Sequence, residues 1–530
     1  MKYFTIIFLL IALGCQQKQE TKSASNLGTI DFEVTGTPEA IKYFEEGVLL
    51  LHSFMYYEST EAFKKAQEAD PDFGMAYWGE AMTYNHPLWA EQEREKALKT
   101  LNKLDTTTAL RLAKLPTEFE KDMFKAVEIL YGEGTKIERD DAYAEYLGEL
   151  NQKYPKNHEI AAFYALALMG SVEGGRDYDV YGKGAKIAQS ILNENPNHPG
   201  ALHYMIHSYD DPEHASLALA AANDYSKVAP DAGHALHMPS HIYIAMGMWD
   251  DVIASNIRSY EAKLKKVDKD STRNWNLHAY HWLLYGYLQK GDFLNAKTIM
   301  ENMMGYAEDY SDRRYVKYYA IDMLGIYSAE TGDWNGEFST LRVDADELNV
   351  QSKVLQHFID GYSALDRGDD EALQAALKQI DDEINKASNS LLTKDVSTCG
   401  DSFATRLPSE DDINASKVLR LELQAAIAMA NNEGGVEALL KEAVDTEDKV
   451  SFLFGPPGIV IPSYEMYGQW LLEQQRFEEA LAQFDKSLKK GPGRKLAFEG
   501  KLKAAESLGK QEIVNEVMQI LGKQVVDERV

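Results

Sequence analysis

Cysteine is nearly absent. The chain holds two, Cys15 and Cys399. Cys15 closes an apolar N-terminal segment, which leaves Cys399 without an obvious partner and excludes a disulfide framework. Positive charge is also short: 55 lysines and arginines stand against 84 aspartates and glutamates, a formal net charge of -29. Such a field repels phosphate backbones and anionic surfaces, so nucleic acid is excluded as a partner. After the first residues no stretch reaches the ~18 uninterrupted apolar positions that a membrane helix requires. The sequence contains no HExxH, no GxSxG elbow and no P-loop, so nothing marks a zinc protease, an α/β-hydrolase or a nucleotide-binding loop. Sustained two-residue alternation is missing too, which argues against sheet.

What is present describes a large ordered protein. Its 530 residues exceed a single compact core and require several domains or an extended array. A composition of 45% hydrophobic and 11% aromatic residues supplies the apolar interior. The N-terminal MKYFTIIFLLIALGC has a lysine near its start, an apolar stretch too short to cross a bilayer, and a small residue before the cysteine. It reads as a secretory signal. Ala12, Leu13, Gly14 and Cys15 resemble a bacterial lipobox. That resemblance implies cleavage before Cys15, lipidation of its thiol and a polar tether behind it, and Gln16 favours the outer membrane.

From about residue 39 the pattern is helix after helix with glycine, proline and aspartate punctuation. Tyr43, Gly47, Leu50, Phe63, Ala66 and Pro71 align without a gap to the 34-residue tetratricopeptide pattern, and Tyr464, Gly468, Leu471, Ala480, Phe484 and Pro492 do so again near the C-terminus. The expected fold is an all-α tetratricopeptide-repeat superhelix, an α-solenoid. Its expected divisions are a signal peptide 1–14, a lipidated tether 15–38, N-terminal repeats 39–198, histidine-rich repeats 199–310, further helical pairs 311–393, a loop 394–412 and C-terminal helices 413–527.

Histidines are concentrated in the middle of this array. Nine of the thirteen lie between residues 198 and 281, where an even spread would put roughly two. Registering the repeats on Pro230, Gly247 and Gly291 places His203 and His207, then His234, His237 and His241, then His278 and His281 on the groove-facing places 2, 5 and 9 of three first helices, with Asp210 following. His203 with His207 and His237 with His241 are i, i+4 pairs, a spacing that presents two imidazole nitrogens to one ion. These four are the candidate metal ligands, for a divalent transition metal such as zinc, copper, iron or nickel. His52, Trp78, His86, Asp210, His234, His278 and His281 are the candidate ligand-binding residues, His52 and His86 being 34 residues apart at one place of repeats one and two. Three readings stay open: a structural polar ladder, a metal site, or metal-free ligand binding or catalysis. His158, His198, His214 and His357 read as hydrogen-bonded packing residues.

The strings NHPLW, LHYMIHSYDDPEHA, APDAGHALHMPSHIYIAMGMWDD and FGPP resemble those of large bacterial tetratricopeptide-repeat lipoproteins, HMPSHI being specific within that family. The resemblance implies a secreted or surface-attached helical superhelix of largely unassigned biochemistry and supplies no catalytic residues. The expectation is a cell-envelope, outer-membrane lipoprotein, held to the membrane by its lipid, that binds a protein, peptide or small-molecule ligand in a histidine-lined concave groove. Its alternatives are an interaction scaffold and a metal-dependent hydrolase or oxygenase.

Overall fold

The computed structural model of the chain describes residues 26–173, 175–265, 277–393, 408–452 and 455–525. The signal segment, Cys15, Cys399 and most of the 394–412 stretch lie outside the described residues. Those that are described form an all-α superhelix of tetratricopeptide type, broken by one two-stranded ladder in which Asn85–His86 pairs with Glu91–Gln92. No described helix is long and apolar enough to cross a membrane.

Local chemistry sets the helix ends. Thr117 with Glu120, Thr135 with Glu138 and Ser409 with Asp412 form reciprocal capping boxes. The last of these starts the Glu410–Ala430 helix within the stretch read as loop. Consecutive helices pack in pairs, and the small residue of the repeat pattern explains how closely. A Cβ on Gly47 would lie 2.7 Å from the Phe63 ring, and one on Gly468 would lie 2.8 Å from Phe484. Phe63 also fills the space over Gly79, and Phe484 that over Gly500, so each aromatic locks its own repeat to the next.

The array folds back on itself around its middle. The Pro38–His52 helix meets the Pro199–Tyr209 helix, where a Cβ on Gly200 would clash with the His52 ring. From the other end, Trp249 Nε1 donates to the Gly493 carbonyl at 2.8 Å and Arg494 donates to the Tyr285 hydroxyl at 2.6 Å. Gly247 and Gly493 both hold positive φ, +68° and +80°, and a Cβ on Gly247 would stand 2.8 Å from the Cα of Gly493. Only glycine allows two turns to meet this closely. Buried Arg494 is shared by Glu330 and Glu465 in the same contact. The central helices thereby meet both ends of the array, and most of the histidines expected on an open groove wall are buried.

Candidate metal centre

Four helical segments carry the histidines: Pro199–Tyr209, Gly233–His237, Pro239–Ala245 and Leu277–Lys290. His198 caps the first by accepting from the Ala201 amide at 3.1 Å, with Pro199 in the first turn, where its missing N–H costs nothing. Pro239 begins the third segment, yet Met238 between the second and third stays right-handed helical, at φ -51° and ψ -36°. His237 therefore keeps the same face as His241, their Nε2 atoms 3.2 Å apart.

The seven expected histidines come together, in a different setting from the one the sequence suggested. His203, His237 and His241 are 0%, 1% and 2% exposed, so they line no open wall. Only His234 and His278 keep partial exposure. Two groups of three present nitrogens within 4.8 Å of one another: His203, His207 and His234, and His237, His241 and His278. The ring-centre distance is 4.9 Å from His203 to His207 and 4.5 Å from His237 to His278. Across the groups His207 lies 5.1 Å from His241. His281 stays outside both groups, its buried Nε2 without a hydrogen-bond partner and its ring 5.7 Å from Tyr319.

Hydrogen bonds fix which nitrogen carries the proton. His203 Nδ1 sits 2.7 Å from the His52 carbonyl, His237 Nδ1 2.7 Å from the Asn256 side-chain oxygen, and His207 and His241 Nδ1 sit 3.1 and 3.0 Å from one oxygen of Asp210. Each of these partners can only accept, so each Nδ1 donates and the lone pair is on Nε2. This is the arrangement in which a metal-binding histidine is oriented by an acceptor behind it. His203 Nε2 and His234 Nε2 are buried without a hydrogen-bond partner. His237 and His241 turn two acceptor nitrogens toward each other, a repulsive contact unless a proton or a cation stands between them.

Burial disfavours the charged form of five of these imidazoles. Burial pushes the imidazoles of His203, His234 and His237 well below their ordinary value, and neighbouring histidines lower them further. Burial lowers His241 to about 4 against the opposing pull of Asp210, and lowers His278 to about 3 with help from His241. Burial alone would raise the Asp210 carboxyl, but Arg176 and the two imidazole N–H groups hold it well below the usual carboxylate range. Arg176 forms an ion pair with Asp210, lies 3.4 Å from Asp211 and donates to the His207 carbonyl at 2.8 Å.

Several expected ligand residues are placed otherwise. Asp210 is fully buried behind the histidines, with its oxygens occupied by Arg176, His207 and His241, so it holds those two imidazoles in place. Trp78 is a core residue, edge-on to Phe32 and Phe163. His52 is fully buried: Nε2 donates to Glu159 at 2.7 Å and Nδ1 accepts from Tyr204 at 2.9 Å. His198 donates to the other Glu159 oxygen at 3.1 Å, so the His52, Glu159, His198 group is closed by its own hydrogen bonds. His86 misses the expected helical place because the Gly74–Met82 helix stops short of it. Pro87 disfavours helix for the residue before it, and both His86 ring nitrogens are occupied, by Thr83 and Glu91. Arg176, Asn256 and Glu159 went unnoticed in the sequence. Arg176 comes from the glycine-rich insertion, and no local spacing announces it.

Aromatic rings wall the site. Trp282 stacks on His241 at 4.5 Å, and Phe54 lies 4.2 Å from His203 and 5.8 Å from His234. A cavity of about 260 Å³ borders the site between the central and C-terminal helices, lined by Asp210, Trp249, Tyr285, Gln351, Glu447 and Arg494 among others and by no histidine.

No family model and no curated protein matches the chain. Solved structures similar to it include yeast Tom70, with TM-score 0.31 and 12% identity over 91% of this chain and 92% of that one. The P58(IPK) TPR domain gives TM-score 0.20 and 13% identity over 89% and 99% of the two chains. Naa15/Naa10 bound to HypK-THB gives TM-score 0.23 and 11% identity over 92% and 71%. At these scores the likenesses carry no argument, and the repeat architecture rests on the helices of this chain.

Proposed function

We propose that this helical-repeat protein binds a transition-metal ion through His237, His241 and His278. The observation that carries the reading is the pair of facing Nε2 atoms, 3.2 Å apart, whose Nδ1 partners are Asn256 and Asp210. A tetrahedral ion with nitrogens at about 2.0–2.1 Å sets its ligands about 3.3 Å apart, so this pair already has the separation an ion needs. His278 completes three neutral imidazoles and leaves a position open to water or a ligand. Zinc, copper, nickel and iron all suit such a donor set. Metal analysis of purified protein after reconstitution tests it. The expected result is at least one tightly held equivalent that His241→Ala removes; less than about a tenth of an equivalent of every one of these metals refutes the proposal.

The same proposal places the protein in the cell envelope. What supports this is the N-terminal segment alone, with its short apolar stretch and lipobox-like end at Cys15. Cys15→Ser is expected to release the protein from the membrane fraction, and continued membrane association counts against the lipid anchor.

A further inference from the structure

We infer that the centre holds two ions side by side, the second bound by His203, His207 and His234, with Asp210 as the shared carboxylate behind both sites. The inference rests on the metal reading above and extends it to a second set of residues. Three observations lead to it.

The first is ligand supply. Each three-histidine group is complete in itself, with nitrogens within 4.8 Å, and each combines an i, i+4 pair with a third histidine from another helical segment. Six imidazoles exceed the four ligands of a tetrahedral ion. The one group that spans both sets, His207, Asp210 and His241, is consumed by hydrogen bonds from the two Nδ1 atoms to a single carboxylate oxygen and offers no open position.

The second is the vacant lone pairs. His203 is fully buried, its Nδ1 is committed to the His52 carbonyl, and its Nε2 has no hydrogen-bond partner. His234, beside it at 5.1 Å between ring centres, also has a partnerless Nε2. Leaving a buried polar atom unsatisfied costs roughly 1–3 kcal/mol. The His52, Glu159, His198 group provides an internal contrast, because there each Nε2 donates to the carboxylate and nothing is left for a metal.

The third is adjacency. The ring-centre distances between groups, 5.1 Å for His207 to His241 and 5.8 Å for His234 to His237, match those within them. Two ions held there are near neighbours. A neutral donor set leaves their charge uncompensated, since Arg176 already offsets Asp210. The ligand class that fits between them is therefore a small anionic or oxygen ligand such as hydroxide, reached from the partly exposed His234 and His278 side.

Copper titration of the chelator-treated protein tests the inference by stoichiometry and electron paramagnetic resonance. Wild type is expected to bind two equivalents of Cu(II), with a signal well below two uncoupled spins. His234→Ala and His278→Ala are each expected to bind one equivalent and to show the full signal of one isolated ion, with unchanged helical circular dichroism. One equivalent in wild type overturns the second site and leaves the first proposal standing, whereas no equivalents overturn both. Two equivalents retained in folded His234→Ala, or two fully uncoupled spins in wild type, also overturn the paired centre. Zinc stoichiometry by equilibrium dialysis repeats the count without redox chemistry.

Discussion

Replacing Asp210 by asparagine perturbs both proposed ions through one side chain that touches neither. One Asp210 oxygen faces Arg176 and the other accepts the Nδ1–H groups of His207 and His241 at 3.1 and 3.0 Å. An asparagine cannot serve both. If its oxygen faces the histidines, its NH₂ opposes Arg176, donor against donor. If the amide turns, the NH₂ faces both Nδ1 atoms and drives their protons to Nε2, where they block coordination. In metal-free protein the cost begins from about 3–5 kcal/mol for stranding a buried charge. Arg176 keeps Asp211 at 3.4 Å and the His207 carbonyl at 2.8 Å, which reduces the expected loss to about 2–3 kcal/mol. Loss of the orienting partner lowers metal affinity about 10–100-fold. Urea denaturation of the metal-free protein reads the first effect and competition with a chromophoric chelator the second. Unchanged affinity, together with a stability change below about 0.5 kcal/mol, would refute the assigned proton positions and the role given to Asp210.

Glu159→Gln separates the closed histidine group from the open ones: its amide must present a donor to one imidazole N–H, so a loss of about 2–3 kcal/mol is expected in urea denaturation with metal stoichiometry unchanged. A drop in bound metal would show that Glu159 belongs to the centre. Asp322 is partly buried, and burial pushes its carboxyl up from 3.8 to about 7. The folded chain thus holds a proton that the unfolded chain releases near pH 4, so stability falls as pH rises from there through about 7 and the penalty is complete above it. Asp322→Asn is expected to gain about 2–3 kcal/mol more at pH 8 than at pH 5 in paired urea titrations, and equal gains would contradict the shift. Gly47→Ala puts a methyl group 2.7 Å from the Phe63 ring and is expected to cost about 1–3 kcal/mol by overpacking. A neutral result in thermal or urea unfolding would mean that the repeat contact yields.

Much of the fold was legible because repeat patterns encode local contacts. The spacing of Gly47 and Phe63, or of Gly468 and Phe484, states which atoms of neighbouring helices must meet, and those atoms do meet. Helical periodicity likewise placed His203 with His207 and His237 with His241 on common faces, and the register carried across three repeats to His278. The groove was misjudged because the segments that meet the central helices come from distant chain: the Pro38–His52 helix on one side and the turn at Gly493 on the other. Trp78 and His86 were misplaced for local reasons, one facing the Phe32 and Phe163 rings and the other cut from its helix ahead of Pro87.

The sequence by itself determined the all-helical repeat, the scarcity of cysteine and the gathering of histidines on one face, because these depend on periods of three to four residues and of 34. Tertiary structure alone decided which histidines remain available as ligands. That choice depends on the acceptor behind each ring, and three of those acceptors lie far away in the chain: the His52 carbonyl 151 residues from His203, Glu159 107 residues from His52, and Asp210 31 residues from His241. An imidazole has two nitrogens and one proton, so the partner that takes the proton decides where the lone pair points. Only the folded chain supplies those partners.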